Sequence, residues 1–238
     1  MKKNKILALT IIILIAIFLI IFAHWKNDMR EISSFSIIFK GNSNQFLDQD
    51  MVDKLLKQNK PDEFRLKKNI LDLDSIEKVF KDILAIKNVN IYSEPIGRLG
   101  VEIEERIPVV RIIDKIKNYY LDEGGYVIPF SEKYSPRVPL FFGKLNESDK
   151  LFLIRFLNII LKNEFIRNEL VEVGYLNKNF SIRLRSYDFE IEWGPPIKFE
   201  NKIFKLNKFC KYITAENKIK SYKKINITYN NQVIATQS

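Results

Sequence analysis

Apolar and polar positions change period several times along this chain, and each change predicts an element. From Ile6 to Ala23 the apolar positions are continuous, broken only by Thr10. Those 18 residues would span about 27 Å as a helix, close to the hydrocarbon thickness of a bilayer. Its 14 Leu, Ile and Phe residues contribute about −4 to −8 kcal/mol to insertion in sum, as an upper bound. Ser33–Lys40 is β-branched and aromatic and reads as a strand stopped by Gly41-Asn42. Asp48 or Asp50 can cap a helix with Met51, Val52, Leu55 and Leu56 on one face. Asp72 or Asp74 can cap a second helix, with Ile76, Val79, Phe80 and Ile83 spaced by three and four. The period then drops to two. Val89–Ser93 is a strand, 95–98 a turn, and Leu99, Val101 and Ile103 alternate with Gly100, Glu102 and Glu104 in a further strand. Two amphipathic helices over three strands make a self-sufficient two-layer unit, and Pro108 marks its end.

Beyond residue 108 the texture is that of a mostly antiparallel sheet with two helices. Val109–Ile113 is a strand, and Tyr119–Leu121 and Tyr126–Ile128 flank the Asp122-Glu123-Gly124-Gly125 hairpin signal. Val138–Phe142 is short and apolar, and Leu151–Leu161 reads as a buried helix opening near Ser148. Val171–Tyr175, Ser181–Arg185 and Phe189–Trp193 are strands, with a turn at 186–188. After Gly194-Pro195-Pro196 comes an amphipathic helix whose expected stripe is Phe199, Ile203, Phe204, Leu206, Phe209 and Ile213. The last strand is expected at Lys224–Tyr229, continuing through Gln232-Val233-Ile234.

Charge and composition narrow the function. Lys2, Lys3 and Lys5 precede the apolar run, and Trp25 follows it as an interfacial anchor. This places the N-terminus in the cytoplasm and the remainder across the membrane. The run exceeds the apolar core of a signal peptide, and no small-x-small site follows it, so the anchor is expected to stay uncleaved. The net charge of +10 is diffuse, with +3 in residues 1–31 and +7 in the rest. Diffuse lysine reads as a solvated surface rather than a site for anionic headgroups or cell-wall polymer, and nucleic acid is not expected as the partner of a domain outside the cytoplasm.

Candidate chemistry is sparse. Cys210 is the single cysteine, so no intrachain disulfide forms, and it reads as a buried structural thiol. The single histidine, His24, sits at the membrane edge, which excludes a Ser-His-Asp triad or a His-rich metal site elsewhere. Ser221-Tyr222-Lys223-Lys224 matches Ser-x-x-Lys, but it precedes a strand and lacks the Ser-Asp-Asn and Lys-Thr-Gly partners of acylating enzymes. Glu102 and Glu104 share a strand face beside Arg106, where a solvated pair is the simpler reading than acid-base catalysis. No enzyme, cofactor or metal is expected.

The last strand carries the functional weight. A terminal strand at a sheet edge exposes unpaired N–H and C=O groups that a second chain can take up. The residues alone leave open whether it is such an edge or an ordinary interior strand. Ile225, Ile227 and Tyr229 would share one face, and Lys224, Asn226, Thr228 and Asn230 the other.

Several segments in order resemble the FtsQ/DivIB family of bitopic bacterial division proteins. Residues 101–110, with Glu105-Arg106-Ile107-Pro108, look like the family's strand ending in an acidic-Arg-x-Pro junction. Residues 120–128 look like its aromatic-x-Val-Asp-x-x-Gly hairpin, and residues 138–143 like the Leu-Pro-x-x-x-Gly step. Glu190–Gly194 and the helix holding Lys205-Leu206 resemble the strand-Gly and Lys-Leu helix. Residues 225–235 resemble the closing Ile-Asp-Leu-Arg-Tyr-x-x-x-Val strand, with Asn226 in place of Asp and Thr228 in place of Arg.

The resemblance implies an α+β chain laid out as a cytoplasmic tail (1–5), a transmembrane helix (6–23), a linker (24–32), a POTRA-like βααββ domain (33–106) and a β domain (107–238). It implies a non-enzymatic divisome scaffold of the inner (cytoplasmic) membrane at the division septum, with its C-terminal domains periplasmic, that helps regulate septal peptidoglycan synthesis. Its implied partners are FtsB/FtsL-like bitopic proteins, other divisome membrane proteins and the membrane itself, with no nucleic acid. The implied partner-binding residues are Tyr222, Ile225, Ile227, Thr228, Tyr229, Gln232 and Val233. The alternative is a POTRA-containing component of envelope export or outer-membrane assembly.

Overall fold

The apolar run lies inside one long helix, α1 (Lys2–Asp28). It extends past both ends of the apolar run because no Gly or Pro there stops it. Its Leu9–Lys26 stretch has a mean hydropathy of 2.4 with none of it buried. Among the described residues it is the one helix long and apolar enough to cross a membrane. The structure, a computed structural model, describes residues 2–28, 31–32, 34–41, 46–58, 66–67, 73–94 and 97–237. The chain divides into two compact units, Met1–Glu105 and Arg106–Ser238.

In the first unit, β2 (Ser34–Phe39), α2 (Gln49–Gln58), α3 (Leu73–Lys81), β4 (Ile86–Ser93) and β5 (Arg98–Glu105) follow the expected strand-helix-helix-strand-strand order. The sheet order is β2-β5-β4, with β2 parallel and β4 antiparallel to β5. Asp48 caps α2 by accepting from the Met51 N–H at 2.7 Å. Asp72, the other capping candidate for α3, lies outside the described residues, as do Pro95 and Ile96 of the expected turn. A two-stranded ribbon, β1 (Glu31–Ile32) with β3 (Leu66–Lys67), was not expected. Two residues carry no readable period.

Leu99, Val101 and Ile103 are buried against Val52, Leu56 and Phe80. Each such side chain contributes about 1.5–3 kcal/mol. Glu102 and Glu104 face outward, bonded by Lys40 at 2.8 Å and by Asn88 at 2.8 Å. Those side-chain hydrogen bonds, led by Lys40 for Glu102 and Asn88 for Glu104, hold both carboxyls below their usual range. They are ionised acceptors on a polar face, unsuited to acid-base work. Glu105 points inward instead. It accepts the N–H groups of Phe46 (3.2 Å) and Leu47 (2.7 Å), which fixes the approach to α2.

The second unit is one nine-stranded, mostly antiparallel sheet covered by helices. Its strands are β6 (Pro108–Ile113), β7 (Asn118–Asp122), β8 (Val127–Pro129), β9 (Leu140–Phe142), β10 (Leu170–Leu176), β11 (Asn179–Leu184), β12 (Glu190–Gly194), β13 (Tyr222–Asn226) and β14 (Ile234–Gln237). The order across the sheet is β14-β13-β12-β11-β10-β9-β6-β7-β8. Parallel neighbours need a crossover, and each parallel pair here has one. The β7–β8 hairpin separates β6 from β9. Helices α4 (Glu147–Ile160) and α5 (Glu164–Glu169) separate β9 from β10, and α6 (Phe199–Ala215) separates β12 from β13.

Two of these helices match the two expected, and the six-residue α5 is an addition too short to show a stripe. α4 opens two residues earlier than Ser148 suggests. Its cap is Asn146, which accepts from the Asp149 N–H at 2.8 Å and from the Ser148 hydroxyl at 2.7 Å. Phe156 of α4 stacks on Phe180 with centroids 3.9 Å apart and meets Trp193 edge-on at 5.3 Å, tying the helix layer to the sheet.

Arg106 and the β7–β8 hairpin meet in space. The Asp122 carboxylate, 4 % exposed, accepts from Arg106 Nη1 at 2.7 Å and from the N–H groups of Gly124 (2.9 Å) and Tyr126 (2.8 Å). The Arg106 guanidinium lies 4.2 Å over the Tyr126 ring. Gly125 has φ +81°, the left-handed turn conformation that the hairpin signal requires.

Candidate partner-binding edge

β12 is an interior strand that ends at Gly194, where φ is +72° and a Cβ would lie 2.5 Å from Thr228 Cγ2. Only glycine fits both the turn and the close approach. Pro195-Pro196 then ends the strand, and α6 carries the chain back over the sheet. β13 returns parallel to β12 with Ile191 beside Ile225, and the Ile227 N–H donates to the Glu192 carbonyl at 3.1 Å.

There the expected continuous strand stops, which is the main correction to the sequence reading. Asn226 Oδ1 accepts both the Thr228 N–H (2.9 Å) and the Thr228 hydroxyl (2.6 Å), while Asn226 Nδ2 donates to Glu192 at 2.7 Å. Asn226 and Thr228 thus act together. They bend the backbone away from the ladder, as Asx turns do. Residues 227–233 form a loop, and the chain folds back as β14, antiparallel to β13, with Ile225 opposite Ala235 and Asn226 opposite Ile234.

β13 is therefore flanked on both sides, and the free edge is β14. Ile225 and Ile227 are fully buried and face the core. Tyr222 is half-buried opposite Gln237, and Thr228 is half-buried in its bond to Asn226. Tyr229 and Gln232 are exposed on the loop, and Val233 packs partly against the core. Sequence reasoning missed Ala235, Thr236 and Gln237. Asn230-Asn231, turn-forming residues in the middle of an apparent strand, was the signal that could have found them.

The two ends of the nine-stranded sheet differ. β8 has three residues and closes on Pro129, which has no N–H to offer. β14 is Ile-Ala-Thr-Gln, a short strand whose pairing to β13 shifts register between Tyr222 and Lys224, but it carries neither the proline nor the charge that usually blunt an edge. Beside it, Phe204, Lys205, Lys208, Phe209 and Tyr212 of α6 and residues 231–233 enclose a groove of about 420 Å³. Phe204, expected in the buried stripe, is exposed here with the Lys208 ammonium 4.4 Å over its ring. Its inward place is taken by Lys202, Leu206, Cys210 and Ile213.

Lys202 is 3 % exposed and donates to the carbonyls of Trp193 (2.8 Å) and Pro195 (2.7 Å). Burial first, then the charges of Lys205 and Lys198, push its pKa down from 10.5 to about 8. Between those values the folded chain binds fewer protons than the unfolded chain, so stability rises with pH and is lost as pH falls back through the window. The gap between about 8 and 10.5 is worth about 3 kcal/mol at most. Denaturant unfolding of the full chain in detergent should show wild type gaining on Lys202→Met between pH 8 and 10.5. A difference independent of pH would refute this account of Lys202.

Other candidate chemistry has a structural place. Cys210 is 1 % exposed and burial pushes its thiol up to about 12, so it is held protonated. Ser221 closes a single 3-10 turn (Ile219–Ser221) just before β13, with its N–H on the Lys218 carbonyl. On the sheet surface, Ser181, Glu190, Glu192, Asn226 and Thr228, together with Phe142, Leu176 and Phe180, line a mixed groove of about 620 Å³.

Residues 107–236 match the model of the family described as FtsQ/DivIB, C-terminal related. That match spans more than half of the chain and takes in every strand from β6 to β13. No curated protein matches the chain.

Proposed function

The chain belongs to the FtsQ/DivIB, C-terminal related family and is a cell-division protein, and from that premise we propose that it is a non-enzymatic divisome scaffold whose edge strand β14 captures a partner chain. The partners are FtsB/FtsL-like bitopic proteins, each adding a strand beside Ile234–Gln237. The observation that carries this reading is the uncharged, proline-free edge that β14 leaves at the end of a nine-stranded sheet. Tyr229 and Gln232 on the adjoining loop supply side-chain contacts, while Ile225 and Ile227 support the hairpin from beneath.

Lys2, Lys3 and Lys5, at the start of α1 and ahead of its apolar run, keep the N-terminus in the cytoplasm. The POTRA-like first unit and the β domain then stand across the membrane at the division septum, where capture links the partners to septal peptidoglycan synthesis. A fluorescent fusion of the full chain is expected at midcell in dividing cells, co-purifying with FtsB- and FtsL-like proteins. Uniform envelope signal without those partners would count against the scaffold role.

A further inference from the structure

Lys198, the residue just before α6, and Lys202 and Lys205 on its N-terminal half are spaced by four and three along the chain. All three reach across to the ends of β12 and β13. Lys202 holds the carbonyls of Trp193 and Pro195. Lys205 holds the carbonyl of Ile227 at 2.8 Å and also that of Tyr229. Lys198 donates to Asn230 Oδ1 at 2.7 Å. Where parallel strands leave a sheet, their last carbonyls lose their ladder partners, and here ammonium groups replace them.

The placement is electrostatically unfavourable for the helix itself. Cations at a helix N-terminus oppose the macrodipole. The neighbouring charges acting on Lys202 and Lys205 are other lysines, and both side chains are held below the usual lysine range by burial first. Glu200 in the first turn and the carbonyl groups that the lysines grip compensate it. Among the described residues no strand ladder covers 227–233, so between the Ile227 N–H bond to Glu192 and the packing of Val233 on the core, the segment takes its path from the Asn226–Thr228 bond and these side chains.

We propose that Lys205 is a positioning residue for partner capture: by gripping the Ile227 and Tyr229 carbonyls, with Lys198 on Asn230, it sets the loop that aims β14 outward as a free edge. The proposal rests on the reading of β14 as the capture edge, and its test separates the two. The full chain in detergent is digested with chymotrypsin, and cleavage after Tyr229, which is exposed on the loop, is timed. The same samples are titrated with the FtsB- and FtsL-like proteins of the same cell.

Lys205→Met is expected to raise the rate of that cut at least tenfold and to weaken partner binding at least tenfold. Lys205→Arg, whose guanidinium can span two carbonyls, restores both. Should Lys205→Met fail to fold, the exposed Lys198→Met gives a smaller rise of the same sign. Cleavage at the wild-type rate in folded Lys205→Met, or no recovery with arginine, overturns the clamp. Wild type that binds neither partner removes the capture reading, and the cleavage comparison then decides the clamp alone.

Discussion

Proline at whichever of Ala235 and Thr236 turns its N–H away from β13 is expected to weaken binding of FtsB/FtsL-like partners by about 10- to 100-fold. Successive residues of a strand direct their N–H groups to opposite sides. One of these two therefore bonds to β13 and the other faces outward, since both lie in the paired register with Ile225 and Lys224. The outward proline removes one donor from the intermolecular ladder and puts a ring where the added strand must lie. It leaves the β13–β14 ladder in place, so the thermal midpoint should stay within a few degrees of wild type. The inward proline breaks the hairpin itself and lowers binding together with stability. Affinity measured on full-length protein in detergent discriminates the two. Wild-type affinity in both folded variants would refute strand addition at β14 and leave the family membership untouched.

Asp122→Ala is expected to destabilise the C-terminal unit by about 3–5 kcal/mol, the loss typical of a buried ion pair stripped of one member. The substitution leaves Arg106, with 17 % of its side chain exposed, without its anion, and it strands the N–H groups of Gly124 and Tyr126. Asp122→Asn keeps an acceptor for those two groups but sets an amide against the guanidinium, so its loss should be about half as large. Denaturant midpoints of the full chain order the three proteins as wild type, Asn, Ala. Equal midpoints for Asn and Ala would mean that the charge, rather than the turn hydrogen bonds, carries the whole effect.

That ion pair also marks the limit of what the sequence made legible. The Glu-Arg-x-Pro junction and the Asp-x-x-Gly hairpin were each readable as local signals. Their meeting through Arg106 and Asp122 is a tertiary fact, carried by no periodicity. The strand-helix-helix-strand-strand unit and α1 were readable because their apolar periods are long and clean. The C-terminal edge was not. Ile225, Ile227 and Tyr229 keep the alternation of a strand, but Asn226 and Thr228 bond to each other and redirect the backbone at the second of them. Local side-chain hydrogen bonding outcompeted the pattern there.

α6 misled in the same way. Residues 202, 206, 210 and 213 form its buried line, but a lysine at the first of these hides the stripe from any reading based on hydropathy. The long lysine stem fills the apolar layer while its ammonium reaches the strand-end carbonyls. Phe204, which hydropathy would bury, is left to wall a groove beside the edge.

Residue-resolved amide hydrogen exchange on the full chain, with and without the FtsB- and FtsL-like partners, tests the central claim most directly. Without partner, the β13 amides should already exchange slowly, and the outward-facing amides of Ile234–Gln237 should exchange quickly. Addition of the partners should slow those outward amides by about 100-fold or more, as a new ladder forms. Unchanged exchange in β14 with the partners bound, or new protection confined to another uncharged edge, such as β2 at Ser34–Phe39, would contradict the account.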